Sequence, residues 1–229
     1  MVFITGDIHG NPTRIVNFAR DQGLTKDDVI VILGDVGANY YRGQRDKMMK
    51  QALAELAPTI LCVHGNHEAR PTSIPGYQQK EWQGGIVWYQ PQYPNLLFAK
   101  DGEIFQLDGH RCMVIGGAYS VDKFYRQSRG WSWWADEQPS DEIKAYVEAQ
   151  LAQHPVDVIF SHTCPERYTP VECFLPMIDQ STVGRSTEVW LGEIEASIEY
   201  RAWYCGHWHI NKRIDKMHFL HEAFEMLSR

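Results

Sequence analysis

The sequence predicts an α/β protein built on a mixed sheet, and three features of it say so. Short apolar, β-branched runs such as "VFIT" (2–5) and "DVIVIL" (28–33) recur along the chain. Their continuous rather than alternating apolar character marks strands covered on both faces. Amphipathic helical patterns separate several of these runs, and from about 86 to 117 the spacing becomes hairpin-like, so the sheet is mixed rather than wholly parallel.

Taken in order, "VFIT" is the first strand. "NPTRIVNFARDQ" (11–22) follows, with Ile15, Phe18 and Ala19 on one helical face and Pro12 suited to the first turn. "DVIVIL" is the second strand, "QRDKMMKQALAELA" (44–57) an amphipathic helix, and "TILCV" (59–63) the third strand. "EIFQL" (103–107) and "RCMVI" (111–115) read as further strands. "SDEIKAYVEAQLAQH" (140–154) is a helix with Ser140 as N-cap and Asp141 and Glu142 at its positive end. "DVIF" (157–160), a helix in "TEVWLGEIEASIEY" (187–200) and the strand "RAWYC" (201–205) complete the pattern. Three stretches, 70–95, 119–139 and 163–186, read as long loops rich in Pro, Trp, Tyr and Arg, where substrate is usually met. Repeats and flexible linkers are absent, so one domain over 1–229 is expected.

Bulk properties narrow the function classes. With 229 residues, 44% hydrophobic and 22% charged, the chain is an ordinary globular protein with enough sequence for a sizeable core. A net charge of −7 carries no basic footprint, which disfavours long nucleic acid and anionic membranes as partners. Neither a signal peptide nor a membrane span is read, and five cysteines without a C-x-x-C pair argue for buried thiols in a reducing, cytoplasmic setting.

The chemistry concentrates where strands end. "FITGDIHG" delivers Asp7 and His9, "VILGD" Asp35, and "CVHGNHE" Asn66 and His67. "IFSH" delivers His162, and "CGHWH" His207 and His209. Open α/β sheets collect ligands at the carboxyl ends of their strands, so these turns are expected to converge on one crevice. The donor set is two carboxylates, one amide and several imidazoles, without thiolate, which suits Mn, Fe, Zn or Ni better than Ca. Asp7 with His9 and His207 with His209 alternate along extended segments, and two adjacent ions would give both members of each pair a task.

The ordered set "GDIHG", "GD", "GNHE", "SH" and "GHWH" resembles the calcineurin-like metallophosphoesterases, over residues 6 to 209 and in family order. That resemblance implies a four-layer α/β/β/α sandwich of two mixed sheets with a dinuclear metal site at the C-terminal strand ends. Carried over by position, Asp7, His9 and His209 take one ion, Asn66, His162 and His207 the other, and Asp35 bridges them. His67 is then the catalytic non-ligand histidine beside the leaving group. The implied activity is in-line hydrolysis of a phosphoester by a metal-bridging hydroxide, with two divalent or mixed-valence ions as cofactors.

The match departs from the protein Ser/Thr phosphatase branch, whose G-D-x-x-D-R-G is replaced by "GDVGANYYRG". The second acid and the arginine are both missing, so phosphoprotein substrates lose ground and the acid behind His67 is unassigned. Candidates for phosphate contact are Arg42 and, in a loop that resembles a compact bacterial branch, Lys123, Arg126 and Arg129. Against that stands a solvated loop role for Arg42 and simple packing of Trp131, Trp133 and Trp134 onto the core. A small phosphomonoester, phosphodiester or nucleotide is the expected substrate. A nuclease, a phosphoprotein phosphatase and a non-catalytic metal-binding scaffold are the alternatives. Oligomeric state is open.

Overall fold

A computed structural model of the chain describes residues 1–174 and 179–227. The strands are β1 (Val2–Thr5), β2 (Val29–Ile32), β3 (Thr59–Cys62), β4 (Gln78–Trp82), β5 (Gly85–Gln90), β6 (Tyr93–Ala99), β7 (Ile104–Leu107), β8 (His110–Ile115), β9 (Val158–Ser161), β10 (Ala202–Cys205), β11 (Lys212–Ile214), β12 (Met217–Phe219) and β13 (Phe224–Met226). The helices are α1 (Thr13–Asp21), α2 (Gln44–Ala54), α3 (Lys123–Ser128), α4 (Asp141–Gln153) and α5 (Ser186–Ser197). One sheet runs β13-β1-β2-β3-β6-β5-β4 and the other β11-β12-β10-β9-β8-β7.

Both sheets are mixed. The parallel centres β1-β2-β3-β6 and β8-β9-β10-β12 each carry antiparallel strands at both sides. Side chains of a strand alternate between faces, and β2 shows what that demands here. Val29 and Val31 face the second sheet, in a layer with Leu61, Phe105, Val114 and Phe160. Ile30 and Ile32 face the other way, onto Ile15 and Ala19 of α1 and Met49 and Leu53 of α2. The second sheet repeats the plan, with Met113, Ile159 and Trp203 against Val147 of α4 and Trp190 and Leu191 of α5. The result is the four-layer α/β/β/α sandwich, and it explains why a central strand such as β2 is apolar at every position. Each such fully buried side chain is worth about 1.5–3 kcal/mol.

Register sets where the site falls. Thr5 pairs with Ile32 and Ile32 with Cys62 in one sheet, while Ile115 pairs with Ser161 and Ser161 with Cys205 in the other. These central strands therefore end level, and the turns after them emerge on one edge of the sandwich. Arg14 of α1 pins the first turn by donating to the carbonyls of Gly6 (3.1 Å), Asp7 (2.8 Å) and His221.

Two of the stretches expected to be loops hold regular structure. Residues 70–95 contain the hairpin β4–β5 and the start of β6. Strand β4, "QQKEW", is an outer strand with most of its side chains in solvent, so it lacks the apolar run that marks the interior strands. The 119–139 stretch contains α3. In 163–186 the chain makes short 3-10 turns, and residues 175–178 of that stretch lie outside the described residues. Ser140 caps α4 as expected, its Oγ accepting from Ile143 N–H at 3.4 Å. All five cysteines are free, four of them buried. Among the described residues no helix is long and apolar enough to cross a membrane.

Candidate metal centre

Every strand-end residue singled out in the sequence arrives at the same edge. Asn66 Oδ1 is 2.8 Å from His162 Nε2 and 3.1 Å from His207 Nδ1. His9 Nε2 meets His209 Nε2 at 2.9 Å, and Asp7 Oδ2 lies 3.3 Å from that same His209 atom. Asp35 stands between the two groups, with Oδ1 3.5 Å from His162 Nε2 and Oδ2 3.9 Å from His9 Nδ1. Three overlapping sets, Asp7–His9–His209, His9–Asp35–His67 and Asp7–Asp35–His162, each bring their potential ligand atoms within 4.8 Å of one another.

Holding seven donors this close takes unusual backbone. His9, Asp35, His207 and His209 all have positive φ, between 44° and 63°, a region that side chains rarely adopt and that clusters at functional sites. The Gly residues beside them permit contacts no side chain would allow. A Cβ on Gly34, whose φ is +97°, would sit 2.1 Å from His162 Nδ1, and one on Gly65 would sit 2.1 Å from Asp35 N and Oδ1.

Electrostatics suit a cation. Asp7 and Asp35 are almost fully buried; burial alone would raise their carboxyls, but the imidazoles around them outweigh it and hold both below the usual carboxylate range. Burial pushes the His207 imidazole down to about 3, so it is neutral with a free lone pair. His162 donates from Nδ1 to the Leu33 carbonyl at 2.7 Å, which leaves Nε2 free toward the cluster, the orientation typical of a ligating histidine. Most telling is Asp7 Oδ2, buried with no well-aligned hydrogen bond among the described residues, His209 Nε2 lying 3.3 Å away. An ionised oxygen left so, among imidazoles, is what a metal ion would satisfy. The donor set fits the group that the sequence resemblance implies.

The model of the calcineurin-like phosphoesterase family matches residues 1–211. The chain belongs to that family. Metal-dependent phosphoester hydrolysis is therefore the class of chemistry implied for it. Among solved structures it is similar to phosphopantetheinyl hydrolase (PptH) from Mycobacterium tuberculosis, at 14% identity over 96% of this chain and 87% of that one, with a TM-score of 0.52. It is also similar to the TT1561 protein of Thermus thermophilus, at 13% identity over 90% and 80% of the two chains, with a TM-score of 0.48. Among curated proteins no match is found.

His67 sits at the cluster's edge. Its backbone N–H donates to Asp35 Oδ1 at 2.7 Å, and its Nε2 is 3.8 Å from Asp122 Oδ1. Burial lowers the His67 imidazole, while Asp35 and Asp122 oppose that. Glu68, the last residue of "GNHE", lies beneath, its Oε1 accepting from Val36 N–H (3.3 Å) and Gly65 N–H (3.4 Å) and so tying the second turn to the third. Asn66 is braced from the other sheet, donating to Ser120 Oγ at 2.9 Å, and Ser120 in turn donates to Glu137 Oε2 at 2.6 Å.

The cluster forms the floor of a cavity of about 420 Å³. None of the four basic candidates lines it. Arg42 is exposed in the turn before α2, its N–H donating to Asp46. Lys123 lies 4.2 Å over the Trp133 ring and Arg129 5.2 Å over Tyr125. Arg126 is only 1% exposed, packed between the rings of Tyr40 and Trp134. Among the described lining residues the cation is Arg185, and the walls are Tyr119, Val121, Phe174 and Trp208. Sequence reading did not reach Asp122, Ser120, Arg185 or Glu188, none of which has local spacing to a motif. Trp208 carried a signal in its place inside "GHWH".

Proposed function

We propose that this protein is a dinuclear metallophosphoesterase acting on a small phosphomonoester, phosphodiester or nucleotide. In this reading Asp7, His9 and His209 hold one ion, Asn66, His162 and His207 hold the other, and Asp35 lies between them. The ions are divalent or mixed-valence, drawn from Mn, Fe, Ni and Zn. When bound they supply an acidified water for attack on phosphorus and a positive clamp on the phosphate oxygens. The observation that carries the reading is the convergence of seven donors around the buried, ionised Asp7 carboxylate.

The chain's own groups do the rest. Asn66 contributes a neutral oxygen, which keeps the negative charge of the site low enough for an anionic substrate to approach. His67 holds a proton at Nε2 for the departing oxygen, and Asp122 at 3.8 Å favours that protonated ring. Leu33, Ser120 and Glu68 fix ligand and turn orientation through their hydrogen bonds. The four buried free cysteines suit a reducing cytoplasmic setting. An acidic chain is a poor partner for long nucleic acid, which weighs against the nuclease alternative.

Metal-stripped protein re-supplied with Mn, Fe, Ni or Zn, then assayed on p-nitrophenyl phosphate and bis(p-nitrophenyl) phosphate, tests the proposal. Metal-dependent turnover is expected, and the ratio of the two rates separates monoesterase from diesterase. Two ions bound with no turnover on either ester would favour the scaffold alternative, and no metal binding would refute the assignment altogether.

A further inference from the structure

The wall of the cavity beyond the metal centre has a specific character. Phe174 and Trp208 are stacked nearly parallel, 19° apart with ring centroids separated by 6.1 Å, and this aromatic pair borders the cavity beside the cluster. The Arg185 guanidinium lies 5.9 Å from the Phe174 ring. Thr169, Glu188 and Trp208 also border the cavity, and each carries a buried polar atom with no hydrogen-bond partner among the described residues: Thr169 Oγ1, Glu188 Oε2 and Trp208 Nε1. Glu188 is 5% exposed, its other oxygen accepting from Thr163 Oγ1 at 2.8 Å.

Buried polar atoms are rarely left unpaired, and those of Thr169 and Glu188, on residues that line the cavity, are available to a ligand that pairs them. The ligand must be flat enough for the aromatic pair and must offer both donors and acceptors along an edge. An acyl chain would leave both atoms unpaired, and a sugar meets an aromatic ring only through its C–H groups, without a π-face. A nucleobase meets both requirements, because every base has a π-face and a hydrogen-bonding edge.

We propose that the organic half of the substrate is a nucleoside whose base stacks on the Phe174–Trp208 pair, with its phosphate over the metal centre. This rests on the phosphoesterase reading and narrows it to nucleotides. Glu188 and Thr169 then read the base edge.

The test is calorimetric, on Mn-loaded protein, comparing adenosine 5′-monophosphate with ribose 5-phosphate, which share the phosphate and sugar and differ in the base. Adenosine 5′-monophosphate should bind about tenfold more tightly or better, the range set by base–aromatic stacking. Phe174→Leu and Glu188→Gln should each shrink that gap several-fold, in preparations whose metal content and thermal midpoint match the wild type. Equal affinities in the wild type overturn the proposal, as does a gap that both folded variants leave intact. If one variant misfolds, the wild-type comparison and the other variant still decide. Turnover of bis(p-nitrophenyl) phosphate and p-nitrophenyl phosphate on the same preparation separates the two readings. Turnover with equal affinities removes the nucleoside subsite alone, and a retained gap without turnover removes hydrolysis alone.

Discussion

His67 Nε2 lies 3.8 Å from Asp122 Oδ1, and the two residues come from different sheets: His67 from the turn after β3, Asp122 from the loop between β8 and α3. Among the described residues Asp122 Oδ1 is buried without a hydrogen-bond partner, and it is also 3.8 Å from Arg126 Nη1. Asp122 is therefore placed, across the sandwich, where it could take the part of the acid missing from the second motif. Asp122→Asn is expected to lower kcat about tenfold, less than the ~10²–10⁴-fold of direct acid–base assistance because Asp122 acts through His67, with metal content unchanged. The loss should grow as the leaving group becomes poorer. An unaltered kcat across a series of aryl and alkyl esters would show that Asp122 does not position His67.

His67→Ala should keep the full complement of metal and slow turnover by about 10²–10⁴-fold, most on esters with poor leaving groups. Elemental analysis beside the kinetics checks both halves. Loss of metal in this variant would mean that His67 is a ligand.

Asp35→Asn should abolish activity and reduce the metal bound, because Asp35 stands between the two donor groups and faces His162 and His9. Retention of two ions with full activity would remove Asp35 from the centre.

Gly65→Ala should destroy the site while sparing the core strands. The added Cβ would stand 2.1 Å from Asp35 Oδ1 and backbone N, neither of which has room to withdraw. Near-wild-type metal affinity in a folded Gly65→Ala protein would contradict the packing of the third turn on the second.

Lys50 of α2 is buried, donating to Gln90 Oε1 at 2.8 Å with its Nζ 4.9 Å from the Tyr77 ring centroid. Burial pushes its ammonium down to about 8, against the opposing pull of Asp46, Glu68 and Cys62. An unfolded lysine titrates near ~10.4, so between about 8 and ~10.4 the unfolded chain binds a proton that the folded chain does not. Folding stability contributed by Lys50 therefore rises with pH across that window, and below it the penalty is constant. Lys50→Met removes up to about 3 kcal/mol of penalty and loses a hydrogen bond worth about 1 kcal/mol. A gain of about 2 kcal/mol at pH 7, and a flatter dependence above pH 8, should appear in urea melts of the two proteins. A destabilised variant with an unchanged pH slope would show that Lys50 is comfortably charged in place.

The sequence by itself determined the architecture of the inner strands and the residues delivered at their ends. A strand covered on both faces must be apolar at every position, as Val29 to Ile32 are, and the polar residue that breaks such a run marks the edge of the core. Level register then carries those breaks to one edge, which is why Asp7, Asp35, Asn66, His162 and His207 meet. The polar outer strand β4 was illegible because one exposed side removes the apolar signal.

Only the tertiary structure decided what surrounds those residues. Asp122 is 55 positions from His67, and Glu188, Phe174 and Trp208 reach one cavity from separate segments. Nor could composition place the cations. Arg126 is buried under Tyr40 and Trp134 while Arg185 reaches the cavity, although both lie in stretches that read as loops in the sequence. Local pattern records which side of an element is buried. Which groups face each other across two packed sheets depends on contacts between distant segments, and no window of sequence contains those.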